Sequence, residues 1–184
     1  MDNKKNILAI CGSLRKGSYN KLLLNATKQL LSANISMEIF DLTNIPMYNQ
    51  DNENEMPEVV KEFKQKIENA DIILIATPEY NYSISGVLKN AMDWASRPYN
   101  HNSFNNKPLG IVGVSVGSLK TVRAQYNLRQ IAVALNMHVL NRPEIMIGNA
   151  ATKFNEQGEL IDPTAISLIQ SMIKGLVEMS DFYK

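Results

Sequence analysis

The chain has 184 residues, 45% apolar and 20% charged, and 19 Lys and Arg against 18 Asp and Glu leave a formal net charge of +1. That make-up fits one soluble globular domain spanning 1–184, long enough to bury about 70% of its unfolded surface. With no run of five or six like charges, the chain lacks the electrostatic footprint of a nucleic-acid or anionic-membrane binder. The same balance counts against a small acidic electron carrier that docks on basic partners. A single cysteine, Cys11, rules out an internal disulfide and suits a reducing, cytoplasmic setting. The leading segment from Met1 to Cys11 is too short and wrongly flanked for a signal peptide or a membrane span.

In chain order, the unbroken apolar run Ile7 to Ile10 predicts a strand buried on both faces, ended by Gly12. A helix follows Ser18-Tyr19-Asn20, with Leu23, Ala26, Thr27, Leu30 and Leu31 on one face. Ile35, Met37 and Ile39 alternate with Ser36 and Glu38, as in an edge strand. After a polar loop from Asn44 to Glu55, Met56, Val59, Val60, Phe63 and Ile67 mark a second helix with Pro57 near its first turn. Ile72 to Ala76 reads as another buried strand. Ile84, Val87, Leu88, Ala91, Met92 and Ala95 mark a third helix that ends at Arg97-Pro98. Leu109 to Val116 predicts a fourth strand, and Ala124, Leu128, Ile131, Ala132 and Leu135 a fourth helix. Met137 to Leu140 and Ile145 to Ile147 are short strand candidates, and a closing helix runs from Pro163 to Phe182.

Strands alternating with helices imply an α/β, doubly wound parallel sheet covered on both faces. An amphipathic second strand and apolar first, third and fourth strands match the five-stranded flavodoxin-like order 2-1-3-4-5. Ligands of such sheets sit beyond the carboxyl ends of the strands, at the switch point between strands one and three. The loops there are 12–20, 78–83 and 116–122.

The first loop, Gly12-Ser13-Leu14-Arg15-Lys16-Gly17-Ser18-Tyr19-Asn20, opens a helix. Helix N–H groups, two serine hydroxyls, the Asn20 amide and the Arg15 charge suit a terminal phosphate. Leu14 stands where a dinucleotide fingerprint needs its second glycine, and Ser18-Tyr19 where a nucleoside-triphosphate loop needs Lys-Ser/Thr. The second loop, Thr77-Pro78-Glu79-Tyr80-Asn81-Tyr82-Ser83, offers an apolar wall with polar edges, which a flavin or pterin would use. The blander alternative assigns Ser83 to helix capping and Tyr82 to packing. The third loop, Ser115 to Thr121, adds backbone and hydroxyl donors. His101 and His138 have no cluster at metal-ligand spacing, so no metal is expected. Cys11 and Trp94 read as packed side chains.

The first loop together with Pro78-Glu79-Tyr80-Asn81-Tyr82-Ser83-Ile84-Ser85-Gly86-Val87-Leu88-Lys89-Asn90-Ala91-Met92-Asp93-Trp94 closely resembles the NADPH-dependent FMN reductase family, and in particular its bacterial chromate and quinone reductases. The likeness extends through Arg123 to Gln130 and Arg142-Pro143-Glu144. It implies a flavodoxin-like flavoenzyme that binds FMN non-covalently and uses NAD(P)H to reduce quinones, azo compounds, chromate or free flavin by turns. No side chain is needed as a catalyst for the hydride. By position, Ser13, Arg15, Ser18, Tyr19 and Asn20 would hold the phosphate. Pro78, Glu79, Tyr80, Asn81 and Tyr82 would border the isoalloxazine, with Ser115 and Gly117 near its pyrimidine edge. Backbone N–H groups at 117–119, helped by Lys120, would face the charge that develops on the reduced ring.

The resemblance also implies a homo-oligomer, dimer or tetramer, with Arg123, Tyr126 and Glu144 bonded across subunits. Two departures stand out: Ser85 replaces a proline before Gly86, and Gly117-Ser118-Leu119-Lys120-Thr121-Val122 lacks a glycine pair. An FMN electron carrier without NAD(P)H oxidation and a cofactor-less interaction module remain as alternatives.

Overall fold

A computed structural model describes residues 4–183. Met1, Asp2 and Asn3, part of the leading segment read above, lie outside the described residues, as does Lys184. The elements are β1 (Lys5–Cys11), α1 (Tyr19–Gln29), β2 (Ile35–Phe40), α2 (Glu58–Asn69), β3 (Ile72–Ala76), α3 (Gly86–Ala95), β4 (Pro108–Val114), α4 (Val122–Ala134), β5 (His138–Val139), β6 (Ile145–Ile147) and α5 (Pro163–Phe182). The strands form one parallel sheet in the order β2-β1-β3-β4-β5, with β6 also paired to β4. Registers such as Ala9 opposite Ile39 and Leu74, and Ile75 opposite Ile111, bring the carboxyl ends of β1, β3 and β4 to one edge. This is the flavodoxin-like order that the strand patterns predict.

Strand alternation sorts the core into two layers. Leu8, Ile10, Ile73, Ile75, Leu109 and Ile111 face α2, α3 and α4, while Ile7, Ala9, Ile72, Leu74, Val112 and Val114 face α1 and α5. Gly110 lies on the α5 side, where a Cβ would come within 2.7 Å of Leu176. Trp94 is fully buried on α3, and its indole N–H donates to the Pro46 carbonyl at 2.8 Å. Asn90 donates to the same carbonyl and accepts from the Tyr48 N–H. These bonds pin the polar loop, which contains a short 3-10 turn over Gln50–Glu55, onto α3.

The far half of the sheet departs from the sequence expectation in two ways. β4 ends at Val114, and Val116 is 71% exposed. The fifth position in the sheet is shared: β5 pairs the first half of β4 at Pro108 and Leu109, and β6 the second half from Val112 to Val114. Pro143 stands between the two pieces without the N–H that a continuous ladder requires.

Candidate active site

The sheet ladder runs on into the loops and gathers them. Gly12 N–H bonds to Ala76 O at 2.8 Å, Thr77 N–H to Val112 O at 3.0 Å, and Ser115 N–H to Ile147 O at 2.9 Å. Gly12 also permits contact between the first two loops, since a Cβ there would lie 3.1 Å from Pro78 Cδ. Asn20 ties the start of α1 to the end of β4. Its side-chain amide donates to Val114 O at 3.1 Å and its Oδ1 accepts from Val114 N–H at 3.0 Å, all of it buried. Both polar ends of Asn20 thus serve the scaffold and place the loop.

In the first loop Ser13 and Ser18 are buried while Leu14, Arg15, Lys16 and Gly17 are exposed. Ser18 is the N-cap residue of α1, yet its hydroxyl makes no capping bond, and the first turn holds no acidic side chain. By contrast, Ser85 Oγ accepts from Leu88 N–H on α3, and Asp162 accepts from Ala165 N–H on α5. The Arg15 guanidinium lies 5.7 Å from the centre of the Tyr19 ring, which packs on Phe154. Cys11 beneath the loop is a buried thiol, pushed above its ordinary value by loss of solvent.

The second loop is a two-residue hairpin. Tyr80 and Ser83 exchange N–H···O bonds of 3.0 Å, with Asn81 and Tyr82 at φ of 50° and 68°. This is the all-positive turn that twisted hairpins prefer, usually made with Asn-Gly. Tyr80 and Tyr82 are exposed, at 51% and 66%. Helix capping falls to Ser85 rather than to Ser83, so the blander reading of Ser83 fails. Glu79 turns away to α4. One carboxylate oxygen accepts the N–H groups of Arg123 and Ala124 at 2.9 and 3.1 Å, and the other accepts Arg123 Nε at 2.5 Å and also its terminal Nη2. Four donors fill the four acceptor positions of a carboxylate. The acceptor positions of the Glu79 side chain are therefore filled within the chain, by α4.

The third loop folds back on itself. Gly117 N–H donates to Ser115 Oγ at 3.1 Å, and Lys120 N–H to Gly117 O at 3.3 Å. Lys120 takes φ of 62°, the left-handed position at which the missing glycines would be at ease. With the Gly117 N–H used inside the loop, Ser118 and Leu119 are the donors left from 117–119.

Arg123 also stacks on Tyr82, its guanidinium carbon 3.8 Å from the ring centre. Glu144 instead lies 3.7 Å from Arg129, and Tyr126 is half exposed. Within the chain the partner of Arg123 is thus Glu79, and truncating Glu144 does not orphan Arg123. The sequence reading missed Asn127, whose amide donates to Tyr82 O at 2.9 Å. Asn81 was the available signal for the hairpin, because asparagine tolerates positive φ better than most residues. No cluster of three or more metal-ligating side chains exists among the described residues.

The family model described as NADPH-dependent FMN reductase matches residues 5–152. The chain belongs to that family. It is 47% identical over 177 residues to an NAD(P)H-dependent FMN reductase of Pseudomonas aeruginosa, covering 96% of this chain and 95% of the relative. It is 39% identical over 167 residues to a 2-hydroxy-1,4-benzoquinone reductase of a Burkholderia species, covering 91% of each. Among solved structures, the flavoenzyme NAD(P)H:(acceptor) oxidoreductase FerB of Paracoccus denitrificans superposes with a TM-score of 0.90 at 31% identity, over 97% of this chain and 98% of that one. Membership makes FMN the cofactor and a reduced nicotinamide nucleotide the source of electrons. The residues present fit FMN. The uncapped start of α1, with Ser13 and Ser18 beside it and Arg15 at its mouth, is a donor set for a phosphate dianion, and the exposed tyrosines of the hairpin stand one strand away.

Proposed function

We propose that this FMN reductase relative works as one FMN-binding domain over 1–184, oxidising NAD(P)H and reducing small acceptors of the quinone, azo, chromate or free-flavin class. The observation that carries the reading is the start of α1, left open by Ser18 at the switch point between β1 and β3. FMN, when bound, would supply the redox chemistry, two-electron transfer between the nicotinamide and the acceptor. The chain binds and orients. Ser13, Arg15, Ser18 and Tyr19 hold the phosphate, with Asn20 fixing the loop to β4. Pro78, the Glu79 backbone, Tyr80, Asn81 and Tyr82 border the ring, and Ser115 and Gly117 lie near its pyrimidine edge. Donors at Ser118 and Leu119, with the Lys120 ammonium, oppose the negative charge of the reduced state. Because one open face serves both substrates in turn, initial-rate plots are expected to be parallel.

We further propose a cytoplasmic homo-oligomer, a dimer or tetramer. Support comes from the exposed apolar side chains Tyr126 and Val133 on α4, seven residues apart and so on one helical face. The test of function is direct. Purified protein should be yellow, or take up FMN, and oxidise NADPH when a quinone is supplied. Yellow but inert protein would make it a carrier, and inability to take up FMN an interaction module. Arg15→Ala should weaken FMN binding by about 1.5–3 kcal/mol, the range for a hydrogen bond to a charged group. Unchanged affinity in a titration removes Arg15 from the phosphate site.

A further inference from the structure

The hairpin of the second loop holds a shape that its own residues do not favour. Positive φ is uncommon for any residue but glycine, and for a bulky aromatic such as Tyr82 it persists only where the surroundings impose it. Packing does not impose it here, since Tyr82 is 66% exposed. Three contacts from the first turns of α4 do. Arg123 and the N-terminal N–H groups of α4 grip the Glu79 carboxylate just before the hairpin. The Arg123 guanidinium covers one face of the Tyr82 ring at 3.8 Å. Asn127 Nδ2 donates both to Tyr82 O and to Arg123 O, each at 2.9 Å, and so ties the turn to the helix that grips it.

We propose that Arg123 and Asn127, acting through Glu79 and Tyr82, are positioning residues for the flavin: α4 latches the Pro78–Ser83 hairpin in the form that borders the isoalloxazine ring. The inference rests on the reading above that the hairpin borders the ring. It assigns Arg123 a role inside its own subunit. One face of Tyr82 is occupied by Arg123, so only its edge and its other face are open to a ligand. Arginine suits the task better than lysine because its planar fork can pair with a carboxylate and lie flat on an aromatic ring at once.

The experiment is an FMN titration of the apoprotein, followed by flavin fluorescence and by the visible spectrum of the bound flavin, with a urea midpoint for each variant. Arg123→Met should lower FMN affinity tenfold or more and shift the flavin absorption band, and Arg123→Lys should restore only part of each. Glu79→Gln keeps an oxygen for the two backbone N–H groups but gives up the ion pair, so it should move both readouts in the same direction by less. A purely structural role would lower the urea midpoint while leaving affinity and spectrum unchanged under conditions where the variants are folded. That result for both Arg123→Met and Glu79→Gln, with Arg15→Ala still weakening FMN, overturns the latch alone. Wild-type apoprotein that takes up no FMN overturns the reading beneath it as well.

Discussion

Single atoms decide how closely the loops can approach the sheet. Gly113 lies on β4 where a Cβ would fall 2.2 Å from Thr121 Oγ1 and 2.8 Å from the Thr77 carbonyl. Neither neighbour can yield cheaply. Thr121 is fully buried, its hydroxyl accepts from Gln125 Nε2 at 3.1 Å, and the Thr77 oxygen belongs to the backbone that begins the second loop. Gly113→Ala is therefore expected to destabilise the protein by about 1–3 kcal/mol, the usual cost of overpacking. Gly17, in the exposed part of the first loop, meets nothing within 4 Å of the corresponding position. Gly17→Ala should stay within about 0.5 kcal/mol of wild type. Urea midpoints compare the two, and equal midpoints would mean that β4 and the start of α4 have room to separate.

Helix starts divide into those completed by a side chain and two without a side-chain cap, α1 at Ser18 and α2 at Pro57. Of these two, only α1 both lies at the carboxyl edge of the sheet and lacks an acidic residue in its first turn. Glu79 completes α4 from another loop, Ser85 completes α3, and Asp162 completes α5 with Pro163 directly behind it. Pro is well placed there, because its missing N–H has no helical partner to lose. Asp162 also pairs with Lys153, and that contact first, then the Ala165 N–H, holds its carboxyl below the usual value of 3.8. A carboxyl depressed in the folded state stabilises the fold above its unfolded value and loses that contribution as pH falls through the lower, folded one. Asp162→Ala should cost about 0.5–2 kcal/mol at neutral pH, as lost N-caps do. Asp162→Asn, which keeps a capping oxygen without the charge, should cost less. The gap between wild type and Asp162→Asn should close below about pH 3.8 in acid-range urea titrations. A gap that stays constant down to the lowest pH would mean that the charge on Asp162 contributes nothing.

For the molecule as a whole, α4 presents a buried side and an exposed apolar side. Its inner side packs Ala124, Leu128 and Ala132 into the core, while Tyr126 and Val133 are left at 51% and 78% exposure. Beside them a groove of about 500 Å³ is lined by Ser83, Ile84, Gly86, Lys89, Asn127, Gln130, Ile131 and Ala134, and it reaches the end of the hairpin at Ser83. A second copy resting there would wall the open end of the site. Sedimentation of wild type at micromolar concentration should therefore give a dimer or tetramer, and Val133→Glu should lower the apparent mass. Glu144→Ala should leave Arg123 paired to Glu79 and so disturb the site little. A monomeric wild type would end the oligomer reading and leave the fold untouched.

Patterns of local origin could be read from the sequence alone. Apolar runs such as Ile72 to Ala76 announce a strand buried on both sides, the alternation at 35–40 announces an edge, and the spacing along 163–182 announces a helix. Together these determined the sheet order and the edge at which ligands gather, because strand and helix periods are properties of neighbouring residues. The family motifs determined the cofactor. Partner choice was decided only by the tertiary structure. Glu79 meets Arg123 across 44 positions, and Asn20 meets Val114 across 94. Tyr82 takes a φ that nothing in its type requests, and the fifth sheet position divides around Pro143. A buried polar group takes whichever donor or acceptor packing brings within about 3 Å. That distance is set by the whole fold, so which loop residues face a ligand and which hold the loop in place could not be read from the order of the residues.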